Sequence, residues 1–296
     1  MNPSNEDDLI TRLTRSWTQP SFVRLGLGHD CAALAPLSAK ALPVLKTDAL
    51  VENVHFLRTQ SPRQIGHKAV ARVLSDFAAA GAQPRALLVA LGLPHNFSPA
   101  FLIACYAGMQ KTAQAFGVAL VGGETTRSAE LWFCVSGFGL ATAKTLCSRK
   151  GARPGDSLYV TGTLGGSGSG RHLRFTPRLP ESQWLVRYHY PSAMMDLSDG
   201  LGKDLPRLAL ASRVSFRIHQ KQLPLSPRTT ADHAVNDGED YELLFTVSKK
   251  RSALLEKKWP FKTRLSRIGE IVSSSQSSDS DGLILRGFDH LLPIST

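Results

Sequence analysis

No CxxC pair occurs in the 296 residues, and the four cysteines, Cys31, Cys105, Cys134 and Cys147, stand far apart. A zinc ribbon and a disulfide scaffold both lose support, and free thiols in a reducing compartment are the expectation. Long apolar runs are missing as well. The longest, Ala86–Pro94, falls well short of the roughly 17 residues that a membrane span needs. The segment Met1–Asp8 is acidic and has no apolar h-region, so no secretory signal is expected. Gly (24) and Pro (17) are too few for a collagen-like or low-complexity chain. Common catalytic signatures are absent too. Gly202-Lys203 is followed by Asp204 rather than Ser or Thr, which excludes a Walker loop, and neither a GxSxG elbow nor an HExxH helix occurs. No GxGxxG opens a helix after a strand, and Gly165–Gly170 reads as a Gly/Ser loop more than as a phosphate cradle. These absences favour a soluble cytoplasmic protein with 42% hydrophobic residues and an ordinary core.

Acidic charge is in deficit. Lys and Arg number 35 against 24 Asp and Glu, a net +11. The excess is spread over both halves, +6 in residues 1–150 (15 minus 9) and +5 in the rest (20 minus 15), with no basic tail. Nucleic-acid binders concentrate such charge on one face. An anionic small substrate is served equally well by a spread-out excess.

The chain reads as alternating strands and helices. Leu42–Val51 is a predicted strand. Ser61-Pro62 opens a helix that ends at Gly81, Arg85–Leu93 is a buried strand, and Ser98-Pro99 opens a second helix that stops at Gly117. Strands follow at Val118–Gly122 and Leu131–Leu140. The turn-rich Gly151–Asp156 marks the expected boundary between a domain of residues 1–150 and one of residues 151–296. Beyond it come strands at Ser157–Thr161, Arg213–His219 and Tyr241–Val247, and helices near Gly200–Ala211 and Ser248–Lys258. Two short closing strands and an exposed low-complexity loop at Ser273–Asp281 complete the reading. The fold class is α/β (α+β) with two domains.

Carboxylates beside glycines and turns remain to be explained: Asp30, Asp48, Asp76, Glu124, Asp196, Asp199, Glu239 and Asp240. In the first helix Ile65, Ala69, Val73, Asp76 and Ala80 share the apolar face, so Asp76 should meet an Arg, a helix N-terminus or a metal there. Each island alone suits a turn-capping Asp. Together, without His or Cys clusters, they suit Mg²⁺ working beside substrate phosphates.

The segments Gly28–Leu34, Thr47–Phe56, Leu74–Ala82, Val121–Arg127, Arg149–Asp156, Met195–Leu201 and Gly238–Phe245 resemble, in order, the successive motifs of the thiamine-monophosphate kinase family. The resemblance implies an aminoimidazole-ribonucleotide-synthetase-like fold, with N-terminal strands building a dimer-interface barrel and a C-terminal α/β half. It also implies direct transfer of a phosphoryl group from ATP to thiamine monophosphate, assisted by several Mg²⁺ ions, in a cytoplasmic homodimer. By motif, Asp30, Thr47, Asp48, Asp76, Glu124, Asp196 and Asp199 match metal positions. Tyr106, Gly123, Glu124, Arg149 and Ser198 match nucleotide contacts. His55, Glu239 and Phe288, the last in Gly287–His290, match contacts to the thiamine body. Four residues depart from the pattern: His29 and Glu124 where Asp is usual, Lys46 where Ser or Thr is usual, and Asp237 where Gly is usual. The stretch between Gly170 and Pro191 is also short for the family.

The residue types agree with that chemistry. A phosphate monoester is mostly dianionic at pH 7, so no protein general base is needed to make it nucleophilic. The obstacle is repulsion between two polyanions, which cations remove. Two other readings compete. One is a different ATP-using enzyme of the same superfamily. The other is a non-enzymatic polyanion binder built on Arg171, Arg174 and Arg178 around Phe175.

Overall fold

The computed structural model describes residues 23–25, 29–35 and 41–289. The acidic N-terminus, Gly28 and His290 lie outside the described residues. Two sheets carry the architecture. The first holds six strands: β1 (Val23–Leu25), β2 (Ala32–Leu34), β3 (Leu42–Val51), β4 (Gln83–Leu93), β5 (Ala119–Arg127) and β6 (Trp132–Ala141), in the order β1-β2-β3-β6-β4-β5. Only β4 and β5 pair in parallel. The second holds β7 (Ser157–Thr161), β8 (Pro191–Asp196), β9 (Ser215–Ile218), β10 (Leu243–Val247) and β11 (Leu265–Val272), antiparallel throughout in the order β8-β10-β7-β11-β9.

Against the first sheet lie α1 (Pro62–Ala79) and α2 (Pro99–Ala115). Both start at Ser-Pro and stop at a left-handed glycine, Gly81 (φ +64) and Gly117 (φ +66). The two starts differ in detail. Ser98 Oγ accepts from the Phe101 N–H, whereas the Ser61 side chain makes no cap bond. The two helices cross closely enough that each needs a glycine. A Cβ on Gly66 would sit 1.8 Å from the Cys105 carbonyl oxygen, and one on Gly108 would sit 2.0 Å from that of Arg63. The remaining α-helices among the described residues are α3 (Leu179–Arg187), α4 (Leu201–Ser212), α5 (Ala231–Asn236) and α6 (Lys249–Lys258).

The main core joins both sheets through α1, whose Val73, Leu74 and Phe77 belong to one buried cluster with Tyr159, Met194 and Phe245. A second cluster fills the space between the second sheet and α4. No helix among the described residues is long and apolar enough to cross a membrane.

Several expectations need correction. Helix α3 and strand β8 were not expected. The former is nine residues with Pro180 in its first turn, and the latter is a short apolar run ending in a motif carboxylate. One eight-residue strand, β11, replaces the two closing strands; the exposed segment after it makes an isolated bridge, Arg217 with Asp279. Strand β5 runs five residues beyond Gly122, to Arg127. The Gly165–Gly170 segment is tied down rather than slack, because the Gly165 and Gly166 N–H groups donate to Asp240 and Asp237. The first sheet is open, with β1 and β5 as its edges, and no closed barrel forms among the described residues of one chain.

Candidate active site

Strand alternation divides β3 between two faces. Lys46 and Asp48 point toward α1, while Leu45, Thr47 and Ala49 point outward and are exposed. The α1 side chains at i, i+4 and i+8, Lys68, Arg72 and Asp76, form a stripe along the same helix. Strand β8 ends at Asp196, and the turn into α4 supplies Ser198 and Asp199. The loop before β10 supplies Glu239 in a left-handed backbone (φ +54). These pieces enclose a cavity of about 360 Å³ lined by Lys46, Asp48, His55, Arg72, Asp76, Asp196, Ser198, Asp199, Glu239, Tyr241 and Phe288, among others.

Three carboxylates, from the segment before β2, from α1 and from β8, meet where this cavity adjoins a second hollow. Oxygens of Asp30, Asp76 and Asp196 lie within 4.8 Å of one another, and all three residues are buried. Such a cluster is costly unless cations compensate it. Three partners do so in part. Arg149 grips Asp30 with two bonds, Nε at 3.1 Å and Nη2 at 3.0 Å. The Lys46 ammonium lies 2.9 Å from Asp76 Oδ1, and the Ser75 hydroxyl donates to Asp196 at 2.5 Å. Burial still pushes the Asp76 carboxyl well above its ordinary range, with Lys46 opposing. Burial and the neighbouring Asp30 push Asp196 up to about 7. The cluster therefore lacks positive charge, and its hard oxygen donors suit a divalent cation such as Mg²⁺.

The opposite end of the cavity is built differently. Lys68, fully buried, places its ammonium 2.5 Å from Glu239 Oε1, 2.7 Å from the His55 carbonyl oxygen and 2.6 Å from His172 Nδ1. His172 Nδ1 also lies 3.1 Å from Glu239 Oε2. That nitrogen accepts from Lys68 when bare and donates to Glu239 when protonated, and the two roles exclude each other. Burial would raise the Glu239 carboxyl, but His172 and Lys68 outweigh it and hold the group down to about 2. Tyr241 donates its hydroxyl to Glu239 and stacks on Phe175 with ring centroids 4.0 Å apart. The Val51 N–H donates to His55 Nδ1, which leaves Nε2 as the proton-bearing nitrogen of the neutral ring. Phe288 is fastened by its N–H to the Asp199 carbonyl and by its own carbonyl to Lys203.

The structure thus gathers Asp48, Asp76, Asp196, Ser198, Asp199, His55, Glu239 and Phe288 around one cavity. Asp30 and Thr47 line an adjoining hollow that shares Lys46 with it. The Thr47 hydroxyl is engaged there by Ser136 and Cys134. Tyr106 on α2 borders a separate crevice, and Gly123 and Glu124 sit on the exposed edge strand β5. Lys68, Arg72, Ser75, His172 and Tyr241 were missed. The spacing of Lys68 and Arg72 from Asp76, eight and four residues on the same helical stripe, was the available signal for two of them.

Arg171 and Arg178 do not form a free basic patch. Arg171 pairs with Asp240 and Glu242, and Arg178 grips Glu242 with two bonds of 2.6 Å.

Comparison with known proteins agrees with this geometry. Residues 28–141 match the model of the AIR synthase related protein, N-terminal domain. The thiamine-monophosphate kinase of Rhodopirellula baltica is 36% identical over 285 residues, covering 90% of this chain and 89% of that protein. The structure of AaThiL complexed with AMPPCP and TMP superposes with a TM-score of 0.84 at 29% identity, covering 97% of each chain. Thiamine-monophosphate kinase from Stenotrophomonas maltophilia K279a gives 0.76 at 32%, covering 93% of this chain and 96% of its own.

Proposed function

This chain belongs to the thiamine-monophosphate kinase family, and from that premise we propose how its cavity transfers the γ-phosphoryl group of ATP to thiamine monophosphate. The products are thiamine diphosphate and ADP. One observation carries the reading: a single cavity has a carboxylate end (Asp48, Asp76, Asp196, Asp199) and an end suited to an aromatic cation (His55, Glu239, Phe288). The first end suits metal-bound phosphates and the second the thiamine body.

Asp30, Asp48, Asp76, Asp196 and Asp199 would hold Mg²⁺. Bound there, it supplies positive charge that offsets the repulsion between the two polyanions. The protein's own residues do the rest. The acceptor phosphate is already a dianion, so the site needs no histidine or serine base. Arg149 orients Asp30 and keeps a guanidinium beside the cluster. Glu239, held ionised, faces the cationic substrate body, and His55 and Phe288 flank it. Binding energy from that body positions the reacting phosphate for in-line attack. The assignment of Tyr106, Gly123 and Glu124 to the nucleotide, and of Thr47 to a metal, rests on the motif resemblance alone.

We extend the proposal to a homodimer in the cytoplasm, with an N-terminal half of residues 1–150 for nucleotide, metal and dimerisation and a C-terminal half of residues 151–296. The outward face of the first sheet supports dimerisation. Leu45, Leu88 and Phe138 lie on neighbouring strands of that face and are 42%, 48% and 37% exposed. Two such faces packed together would shape a shared barrel, and exposed apolar patches of this kind mark interfaces. The four free thiols support a reducing compartment.

The deciding assay incubates purified protein with Mg-ATP and thiamine monophosphate and follows thiamine diphosphate. ATP hydrolysis without that product would refute the substrate assignment.

A further inference from the structure

The Lys46 ammonium sits where a cluster of carboxylates calls for positive charge, and nothing in the motif resemblance assigns it a role. Its backbone is on β3, its stem crosses toward α1, and its Nζ ends 2.9 Å from Asp76 Oδ1. It lines both the main cavity and the hollow around Asp30, so the charge stands at the junction of the two. The formal sum is short. Asp30, Asp76 and Asp196 bring −3, and Arg149 and Lys46 bring +2. Arg149 occupies both oxygens of Asp30, and Lys46 takes one oxygen of Asp76. A serine at position 46 would be too short to reach Asp76 and would carry no charge. The cluster would then be left at −2 with Asp76 unpaired.

We propose that the Lys46 ammonium is a resident cation of the phosphoryl-transfer site, standing at Asp76 Oδ1 in place of one divalent ion and leaving the other Asp76 oxygen to the Mg²⁺ that the cluster shares. This chain then binds one divalent ion fewer per subunit than its Lys46→Ser variant. The proposal rests on the reading of the Asp30–Asp76–Asp196 cluster as a metal site. An ammonium differs from Mg²⁺ in a way that matters chemically. It is a point charge that donates hydrogen bonds, and it cannot be removed by a chelator. The wild-type cluster keeps that part of its compensation when divalent ions are scarce.

The test counts Mn²⁺, a spectroscopically visible substitute for Mg²⁺, bound per chain in the presence of a non-hydrolysable ATP analogue. Wild type, Lys46→Ser and Lys46→Met are compared by equilibrium dialysis with paramagnetic resonance. The expected result is one more Mn²⁺ per chain in Lys46→Ser than in wild type. In chelator both variants should melt below wild type, and Mn²⁺ should raise the melting temperature of Lys46→Ser by the larger amount. Equal Mn²⁺ counts, or no Mn²⁺ bound to any of the three, would overturn the proposal. If neither variant folds, wild-type crystals grown with Mn²⁺ decide. An anomalous peak at coordination distance from Asp76 Oδ1, with Lys46 turned away, overturns it, and an intact Lys46–Asp76 contact beside Mn²⁺ on the other carboxylates supports it. None of these readouts depends on turnover of thiamine monophosphate, so failure of the substrate assignment would be seen separately.

Discussion

The ammonium of Lys68 lies 2.5 Å from the carboxylate of Glu239, and the lysine side chain is closed off from solvent completely while the carboxylate is about a third exposed to the cavity. The pair is lopsided by design of the fold. The cation is spent inside, and the anion keeps one side for the substrate. Removing the cation should loosen Glu239 without touching the phosphate end. We expect Lys68→Met to raise KM for thiamine monophosphate about tenfold, as the loss of one charge-assisted hydrogen bond implies, with KM for ATP little changed. His172→Gln should give a smaller shift in the same direction. Steady-state kinetics with each substrate varied in turn checks both, and equal rises in the two KM values would count against a positioning role.

The same pair gives a pH dependence. Burial drives the Lys68 ammonium down to about 8, with Glu239 opposing. Its folded pKa therefore lies below the unfolded value of 10.5. Between about pH 8 and 10.5 the unfolded chain holds a proton that the native chain has lost, so this group makes stability rise with pH in that window. Substrate affinity should move the other way. Once Lys68 is neutral, Glu239 loses its counter-charge, and KM for thiamine monophosphate should climb as pH passes about 8. A pH series on wild type and Lys68→Met tests this, since the inflection should vanish in the variant. Glu239, depressed to about 2, contributes stability that is present above pH 4.5 and lost as pH falls toward 2.

At the carboxylate end, Asp76→Asn and Asp48→Asn should each cost about a thousandfold or more in kcat, the scale of several kcal/mol of lost charge stabilisation. The far-UV circular dichroism should be unchanged. Asp48 is held by Arg72 at 3.0 Å, so its variant also weakens that ion pair and leaves Arg72 its bond to the Ala49 carbonyl. Undiminished turnover of either variant at saturating Mg-ATP would remove the residue from the metal-binding set.

Substituting Leu88→Asp on the outward face of the first sheet should convert the expected dimer into a monomer of about 32 kDa, since a charge is placed among Leu45 and Phe138. Light scattering at micromolar concentration distinguishes the two masses. A wild-type monomer would dispose of the shared barrel.

Inorganic phosphate offered as acceptor should show most of the kcat/KM lost, because the binding energy of the thiamine body positions the reacting group. Duplex DNA should bind weakly, with affinity collapsing between about 50 and 200 mM salt. The ion pairs that occupy Arg171 and Arg178 are the structural reason to expect so little of a polyanion.

The legible parts of the sequence were those with local chemistry. Ser-Pro starts and glycine stops located α1 and α2 to within a residue or two, because both signals act through the backbone of the residues that carry them. Asp76 was readable as buried, since a carboxylate on an apolar helical face has few alternatives. Strand β8 was not readable, because Ala193-Met194-Met195 has no alternation when both sides are covered. The contacts of Lys68 with His172 and Glu239 were invisible for a different reason. They join three distant segments, and nothing at any one of them announces the other two. Thr47 and Asp48 stand side by side in a motif, yet strand alternation sends their side chains to opposite faces, a distinction that motif matching does not draw.

Helix α1 packs against both sheets, and its Val73, Leu74 and Phe77 share a core with residues from either side of the Gly151–Asp156 turn. Ser182 and Gln183 of α3 also donate to the carbonyls of Ala78 and Ala82 at its C-terminal end. Neither side can therefore melt while the other survives intact, because each would leave half of the same helix facing water. Heat or denaturant should produce one cooperative transition, and a fragment ending at the turn should behave as a collapsed, dye-binding chain rather than as a small enzyme's lower half.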